Sequence, residues 1–286
     1  MKKSNLIKIF ILLFVQLSFG QIKSILVDEN TKRPIEYANI WIENEVIGTF
    51  SNDKGYFSLI TKSENNIIVI SHVGYQSKSV LISEIKDTIF LNPIIIKLDE
   101  ISVFQRKNRN QIILDEIKNK QVDLYFGTNL NYPWIVAKYF PFNEKFPELK
   151  FLKKISLMTG INKKANFNIR IYSVDKEGKP FEYLTSENIN VTAEKGINKT
   201  EIDVSKLNIL FPENGLFIAI ENIRNINSDE FKNTSLVLGL DLNNKSQKTY
   251  LYYKGKWVEN IDFESNIKNK LLNLFKATMI ELTLTD

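Results

Sequence analysis

Short hydrophobic runs with a two-residue period dominate the chain between residues 22 and 98. The segment 38–43 reads Ala-Asn-Ile-Trp-Ile-Glu, so its aliphatic side chains fall on one face of a strand. Turn signals separate the runs, and in the turn 52–55 Gly55 supplies the positive φ that a tight turn needs. Seven or eight runs of strand length without a helical period predict an antiparallel β-sandwich.

The same two-residue period returns after residue 131. The segment 167–172 reads Phe-Asn-Ile-Arg-Ile-Tyr and is followed by a turn over 175–180 that contains glycine and proline. Further runs of strand length occupy residues 189–192, 199–204, 216–223, 235–242, 249–253 and 278–284. They predict a second β-sandwich of jelly-roll character. For Ser265–Phe275 the pattern does not decide between helix and strand, because its apolar residues have helical spacing.

The segment between the two sandwiches has a different pattern. Gln105–Arg109 is polar and basic and marks a joint. Within Asn110–Tyr125, Ile113, Ile117 and Leu124 lie near one helical face, which predicts a short amphipathic helix. We therefore expect an all-β protein with a leader over residues 1–20, a first sandwich over 21–101, a linker with a helix over 102–130, and a second sandwich over 131–286.

The first 20 residues have the pattern of a signal peptide. Three lysines precede an apolar run over residues 9–17, and small residues frame a cleavage site between Gly20 and Gln21. Neither this run nor any later stretch is long enough for a transmembrane helix. Cleavage lowers the formal net charge from +5 to +2, because the leader carries three lysines and no acid. The positive net charge of the full chain therefore gives little support for a nucleic-acid partner.

The composition excludes several kinds of site. The chain has no cysteine, which removes thiol nucleophiles, disulfides and thiolate metal sites. His72 is its single histidine, so a multi-histidine metal site is excluded, and its place at a strand end favours a packing role. The sequence contains no Gly-x-Ser-x-Gly motif. We expect no catalytic residues, no metal site and no cofactor. Export without cysteine indicates a bacterial periplasm or surface rather than a disulfide-stapled secreted domain.

The first sandwich contains a series of motifs in a fixed order: Pro34-Ile35, Ala38-Asn39-Ile40, Gly48, the stretch from Ser51 to Phe57, and the stretch from Ile70 to Tyr75. With these motifs in this order, the segment resembles the carboxypeptidase regulatory-like domain. The resemblance covers about residues 21–98 and implies a transthyretin-like, Greek-key β-sandwich without peptidase activity. Members of this family precede outer-membrane receptors of Gram-negative bacteria or head small exported proteins, so the resemblance implies a periplasmic, outer-membrane or cell-surface location in such a bacterium. The second half resembles exported bacterial proteins that join such a sandwich to the same module, and this resemblance implies no activity.

One aromatic cluster is the candidate ligand surface. Tyr250, Tyr252, Tyr253 and Trp257 flank a turn at Lys254–Lys256, and the strand period places Tyr250 and Tyr252 on one face and Tyr253 on the other. If these rings are exposed, they could stack on sugar rings. If they are buried, they belong to the core, which is the commoner situation for large aromatics.

Two further candidates have weaker support. Glu221, Asp241 and Glu259 would have to converge from distant strands to act as the paired carboxylates of a glycan hydrolase. Asp87-Thr88-Ile89 matches a short bacterial O-glycosylation pattern, and a chain of this length produces such a match by composition alone.

These observations predict an exported envelope protein without enzymatic activity, acting as a binding or assembly module at the outer membrane. Its expected partner is an outer-membrane or envelope protein. The alternatives are a glycan-binding protein that uses the aromatic cluster and, with less support, a glycan hydrolase.

Overall fold

The computed structural model describes residues 20–61, 63–94, 109–118, 122–127, 134–142, 144–145, 147–162, 165–222, 236–243, 248–259 and 273–286. Strands account for nearly all of the regular structure in this part of the chain, together with 3₁₀ turns at Ile82–Glu84, Ser205–Leu207 and Asn273–Ala277. The predicted leader, except for Gly20, and residues 265–272 lie outside these ranges. Within the described ranges, no helix has the length and apolar character to cross a membrane.

The N-terminal sandwich contains β1 to β7. Their bounds are β1 Gly20–Asp28, β2 Asn39–Ile42, β3 Gly48–Phe50, β4 Tyr56–Thr61, β5 Ile67–Ser71, β6 Lys78–Leu81 and β7 Thr88–Leu91. One sheet has the order β4-β1-β7, in which β1 is antiparallel to β4 and parallel to β7; the other has the order β3-β2-β5-β6. Leu26 and Leu59 from the first sheet meet Ile40 and Ile70 from the second in one buried core.

The C-terminal sandwich contains β8 to β20. Their bounds are β8 Gln111–Leu114, β9 Leu124–Phe126, β10 Ile135–Phe140, β11 Phe151–Ile161, β12 Ala165–Val174, β13 Pro180–Tyr183, β14 Ile189–Ala193, β15 Gly196–Asp203, β16 Leu216–Asn222, β17 Val237–Leu240, β18 Thr249–Tyr253, β19 Lys256–Val258 and β20 Ile280–Thr285. A seven-stranded sheet has the order β13-β12-β16-β10-β18-β19, with β14 also on β12. A six-stranded sheet has the order β8-β20-β11-β17-β9, with β15 also on β11.

A large apolar core joins these two sheets. Val136 and Ile169 from the seven-stranded sheet lie in the same cluster as Leu157 and Leu282 from the six-stranded sheet, all at most 1% exposed. Burial of each such side chain stabilises the fold by about 1.5–3 kcal/mol. The prediction of an all-β protein built from β-sandwiches is therefore confirmed.

The predicted helix in Asn110–Tyr125 is wrong. Residues 111–114 form β8, which pairs with the last strand of the chain through Ile112 and Leu284, and Tyr125 belongs to β9. Ile112 and Leu114 alternate toward the core, which is the two-residue period of a strand. The helical spacing of Ile113 and Ile117 misled the prediction, because the strand that pairs with β8 lies about 170 residues away in sequence.

Gly215 shapes the turn that leads into β16. Its φ is +83°, in the left-handed region, and its amide donates to the Pro212 carbonyl at 2.9 Å. A Cβ at this position would lie 2.5 Å from the Phe140 carbonyl oxygen and 2.6 Å from the Tyr139 ring. Both the backbone conformation and the space therefore require glycine.

We expect Gly215→Ala to lower the free energy of unfolding by about 2 kcal/mol or more, from left-handed strain plus overpacking against β10. Urea denaturation of the purified chain measures the change. Gly196→Ala is the control, because φ there is +104° but the nearest atom to an added Cβ is a side-chain nitrogen at 3.8 Å. Equal losses in the two variants would contradict the steric part of this explanation.

Candidate functional site

A cleft of about 510 Å³ opens at one end of the six-stranded sheet. It lies where β8 and β17 end and where β9 and β20 begin, so four chain segments meet at its rim. Its polar lining includes the side chains of Asp115, Asp123, Asp241, Asn243 and Lys138. Apolar side chains complete the wall, among them Ile117 and Met279.

Lys138 lies at the inner end of this cleft. On β10 it shares the parity of Val136 and Phe140, which belong to the core, so its side chain extends between the two sheets. Its ammonium contacts an Asp115 carboxylate oxygen at 2.7 Å and donates to the carbonyl oxygens of Thr278 at 3.3 Å and Ile280 at 3.2 Å. These contacts account for all three donors of the ammonium group.

The surroundings of Lys138 act on its pKa in opposite directions. Burial lowers the pKa, because the side chain is only 3% exposed, while the carboxylates of Asp115 and Asp241 act to raise it. The net effect is a pKa below the ordinary lysine value. Asp115 is thus the principal compensation for a charge placed inside the sandwich.

Backbone contacts hold the acidic residues of the cleft in place. Asp115 itself has a left-handed backbone, with φ at +53°. An Asp123 carboxylate oxygen accepts the Leu242 amide at 2.9 Å, and an Asp241 oxygen accepts the Asn243 amide at 2.9 Å. The result is a fixed group of hydrogen-bond acceptors above an apolar wall, which suits a cationic or hydroxyl-bearing organic group. Across the described ranges, no cluster of three or more histidine or acidic side chains is arranged to hold a metal ion.

The sequence contained one signal for this cleft that the prediction missed. Lys138 is a charged residue at a core position of a strand, and such a residue requires a buried partner. Neither Asp115 nor Asp241 could be identified as that partner from sequence spacing, because they follow different strands.

The predicted aromatic surface lies where the two sandwiches meet. Tyr250 is 6% exposed and packs edge-on against Phe217 at 5.7 Å, while Tyr252 and Trp257 are half-buried with their rings 5.1 Å apart. Tyr252 also contacts Trp41 of the N-terminal sandwich at 5.5 Å.

The predicted faces of the strand match the structure. Tyr253 packs against the core between the sheets, whereas Tyr250 and Tyr252 belong to a cluster on the opposite face. Tyr252 and Trp257 contact each other, and Tyr252 contacts the N-terminal sandwich, so the four rings do not form one open row. Their role as a ligand surface stays a prediction.

The structure places the three carboxylates of the hydrolase alternative in different surroundings. Glu221 is fully buried beside Arg170 at 2.8 Å, Asp241 lines the cleft, and Glu259 pairs with Lys276 at 3.6 Å. Glycoside hydrolysis needs two carboxyl groups that reach a substrate on opposite sides of one bond, and the burial of Glu221 removes this residue from such a role.

His72 is packed at the boundary between the sandwiches. It is 9% exposed, and its ring lies edge-on to Tyr75 at 5.3 Å. Burial, followed by the positive charge of Arg170, lowers its pKa to about 4. The ring is therefore neutral at pH 7, in keeping with the packing role expected from sequence.

Comparison with known proteins supports the resemblance of the N-terminal sandwich. Residues 22–103 match the family described as the CarboxypepD_reg-like domain, which confirms the predicted module over that segment. No curated protein sequence matches the chain.

Two solved structures show a distant likeness to the chain. One contains the cysteine protease and lectin-like domains of Cwp84, a surface layer associated protein of Clostridium difficile, with 10% identity, a TM-score of 0.36, and coverage of 84% of this chain and 45% of that chain. The other is the Clostridial cysteine protease Cwp84 after propeptide cleavage, with 11% identity, a TM-score of 0.40, and coverage of 84% and 50%. The chain thus spans about half the length of these proteins, and no function is transferred from them.

The Asp115–Lys138 pair leads to a stability prediction. We expect Asp115→Asn to lower the free energy of unfolding at pH 7 by about 1–3 kcal/mol, because it leaves a buried ammonium without its counter-charge. Asparagine keeps the shape and accepts a left-handed backbone, so strain is not a confounding factor. Chemical denaturation measures the loss. The double variant Asp115→Asn/Lys138→Met removes the buried charge and should recover most of it; no recovery would contradict the electrostatic explanation.

His72 leads to a pH prediction. Because its folded pKa is depressed from 6.5 to about 4, the unfolded chain binds a proton first, and stability is lost as pH falls from 6.5 toward 4. Between pH 7 and pH 5 the free energy of unfolding of the native chain should fall by about 2 kcal/mol more than that of His72→Gln. Urea denaturation at both pH values measures this difference, and parallel losses in the two proteins would contradict a buried, neutral histidine.

Proposed function

We propose that this protein is an exported, non-enzymatic binding or assembly module of a Gram-negative envelope, acting at the outer membrane. Its C-terminal sandwich binds a cationic or hydroxyl-bearing group of an envelope partner in the Asp115–Asp241 cleft. The N-terminal carboxypeptidase regulatory-like module serves as the base from which the cleft is presented. The signal-peptide pattern of the first 20 residues supports export.

The cleft is the observation that carries this proposal. Four acidic residues, Asp115, Glu116, Asp123 and Asp241, line it against two lysines, Lys118 and Lys138. The ammonium of Lys138 is already engaged by Asp115 and two carbonyl oxygens, so the acceptors dominate what a ligand would meet. A local negative site in a chain with a positive formal net charge favours a complementary, positively charged or hydroxyl-rich partner.

The glycan-binding alternative has two sites to consider. The aromatic cluster offers only buried or half-buried rings, of which Tyr252 contacts Trp41 and Trp257 contacts Tyr172 at 5.5 Å. The cleft offers carboxylates, which accept hydrogen bonds from sugar hydroxyls as readily as from amines. Glycans are therefore an outcome that the experiment has to distinguish from protein partners.

The test is a pull-down of tagged mature chain, residues 21–286, from cross-linked envelopes of its own cells, followed by mass spectrometry. The cleft variant is Asp123→Asn/Asp241→Asn, because asparagine still accepts the backbone amides that these residues hold. Asp175→Asn is the matched control: Asp175 accepts the Glu177 amide at 2.8 Å in an exposed turn, as Asp241 accepts Asn243 in the cleft.

We expect one envelope protein to be enriched by the native chain and by Asp175→Asn, and to fall by about tenfold or more with the cleft variant, since charge pairs at interfaces contribute at least that much. Equal enrichment by all three would place the partner elsewhere on the chain. Absence of an enriched protein would contradict assembly with a protein partner and would favour glycans. Glycan-binding assays with Trp257→Ala and with the cleft variant would then show whether the aromatic cluster or the cleft is the site.

A further inference from the structure

The outer face of the seven-stranded sheet is buried and largely apolar. Its side chains form a cluster distinct from the core between the sheets: Ile135, Ala137, Tyr172, Phe217, Ala219 and Tyr250, each at most 6% exposed. Antiparallel sheets of a sandwich ordinarily present their outer face to water with polar side chains. A second layer that covers at least part of this face is therefore expected.

The N-terminal sandwich has an outer face with the same property. On β2, Ile40 and Ile42 point into the N-terminal core, so the strand period turns Asn39 and Trp41 away from it. Both outward side chains are nevertheless only 1% exposed. Gly48, opposite Trp41 on β3, leaves room for the indole, since a Cβ there would lie 2.9 Å from its ring. Two outward faces that are both buried are explained if they cover each other.

Contacts from β2 and the turn that follows it join the two faces. The Asn39 carboxamide donates to the Glu221 carboxylate on β16, and the Trp41 ring packs edge-on against Tyr252 on β18 at 5.5 Å. The amide of Asn44 donates to the carbonyl of Lys254 at 3.2 Å. Polar, aromatic and backbone contacts thus come from one short segment of the N-terminal sandwich.

The charge at the centre of this boundary requires that it stay closed. Arg170 and Glu221 form an ion pair at 2.8 Å with side chains 1% and 0% exposed. Asn168 donates to the same carboxylate at 2.8 Å from within the C-terminal sandwich, and Asn39 does so from the other sandwich. A buried ion pair is tolerated only when its remaining hydrogen-bonding capacity is used, so loss of Asn39 would leave Glu221 undersatisfied.

We propose that the outer face of the seven-stranded sheet is a docking surface whose permanent occupant is the N-terminal sandwich, so that both sandwiches unfold as one cooperative unit. The two sandwiches then keep one relative position, and the cleft is carried on a rigid two-domain body. The neutral state of His72 beside Arg170 agrees with this arrangement, because a second positive charge there would oppose docking. The proposal does not depend on what the cleft binds.

The first test is a double-mutant cycle on the full mature chain. Asn39→Ala and Glu221→Gln are measured singly and together by urea denaturation, and the docked arrangement predicts a coupling of at least about fivefold in the unfolding equilibrium constant. The control cycle pairs Asn52→Ala with Glu221→Gln, because Asn52 accepts the Lys54 and Tyr56 amides within an exposed turn of the N-terminal sandwich. A coupling below twofold in the first cycle, as in the control, would overturn the proposal.

The second test uses a core variant that leaves the boundary intact. Leu59 on β4 is 2% exposed in the N-terminal core, in the sheet that does not contain β2. If the sandwiches unfold together, Leu59→Ala should lower hydrogen-exchange protection of the slowest amides by the same factor, about a hundredfold, in β4 and in β16. Loss confined to the N-terminal strands would show independent domains and would overturn the proposal.

A third measurement uses the absence of native cysteine. The pair Asn44→Cys/Lys254→Cys joins positions whose backbone atoms are in hydrogen-bond contact, so mild oxidation should give an intramolecular disulfide. Asn44→Cys/Lys206→Cys is the control, because Lys206 lies on the 3₁₀ turn after β15, beside the other sheet. Disulfide formation by the first pair alone supports docking. Equal disulfide formation by both pairs would show that the sandwiches move relative to each other and would overturn the proposal.

Discussion

The arrangement of the two sandwiches depends on the burial of one ion pair. Arg170 and Glu221 are removed from water on adjacent strands of the same sheet, and the Glu221 carboxylate takes hydrogen bonds from Asn168 beside it and from Asn39 of the other sandwich. A charge buried at this depth is destabilising unless its partners are complete. The N-terminal sandwich supplies one of those partners, and with it the position of Trp41 against the aromatic face.

The boundary between the sandwiches gives two of the aromatic residues of the second sandwich, Tyr252 and Trp257, a packing role. Tyr252 and Trp257 pack on each other, and Tyr252 reaches Trp41, so the hairpin contributes to the contact between the sandwiches. The Asp115–Asp241 cleft lies on the other side of the seven-stranded sheet, where Lys138 enters the space between the two sheets. One sheet therefore separates a face used for internal packing from an interior that opens into an acidic cleft.

Lys138 and Arg170 illustrate two ways of placing a cation inside a β-protein. Arg170 is held by Glu221 in a closed boundary, and its guanidinium also donates to Asn188 at 2.5 Å. Lys138 is held by Asp115, whose side chain is 40% exposed and faces a cavity. The first arrangement excludes a ligand, whereas the second keeps carboxylates accessible. This difference is the physical reason to propose the cleft, and not the Arg170 boundary, as the binding site.

Because the two-residue period is a local property, the sequence by itself determined most of the strands, although not β8 and β9. It contained the order of turn glycines and strand residues by which residues 22–103 match the regulatory-like module. It also determined that Tyr250 and Tyr252 share a face opposite Tyr253, and it contained Lys138 at a core position. The tertiary structure decided that residues 111–114 pair with β20 as a strand, that Asp115 and Asp241 meet Lys138, and that Asn39 meets Glu221. These contacts join residues that are distant along the chain, and no local period encodes which strand ends or which outward faces meet.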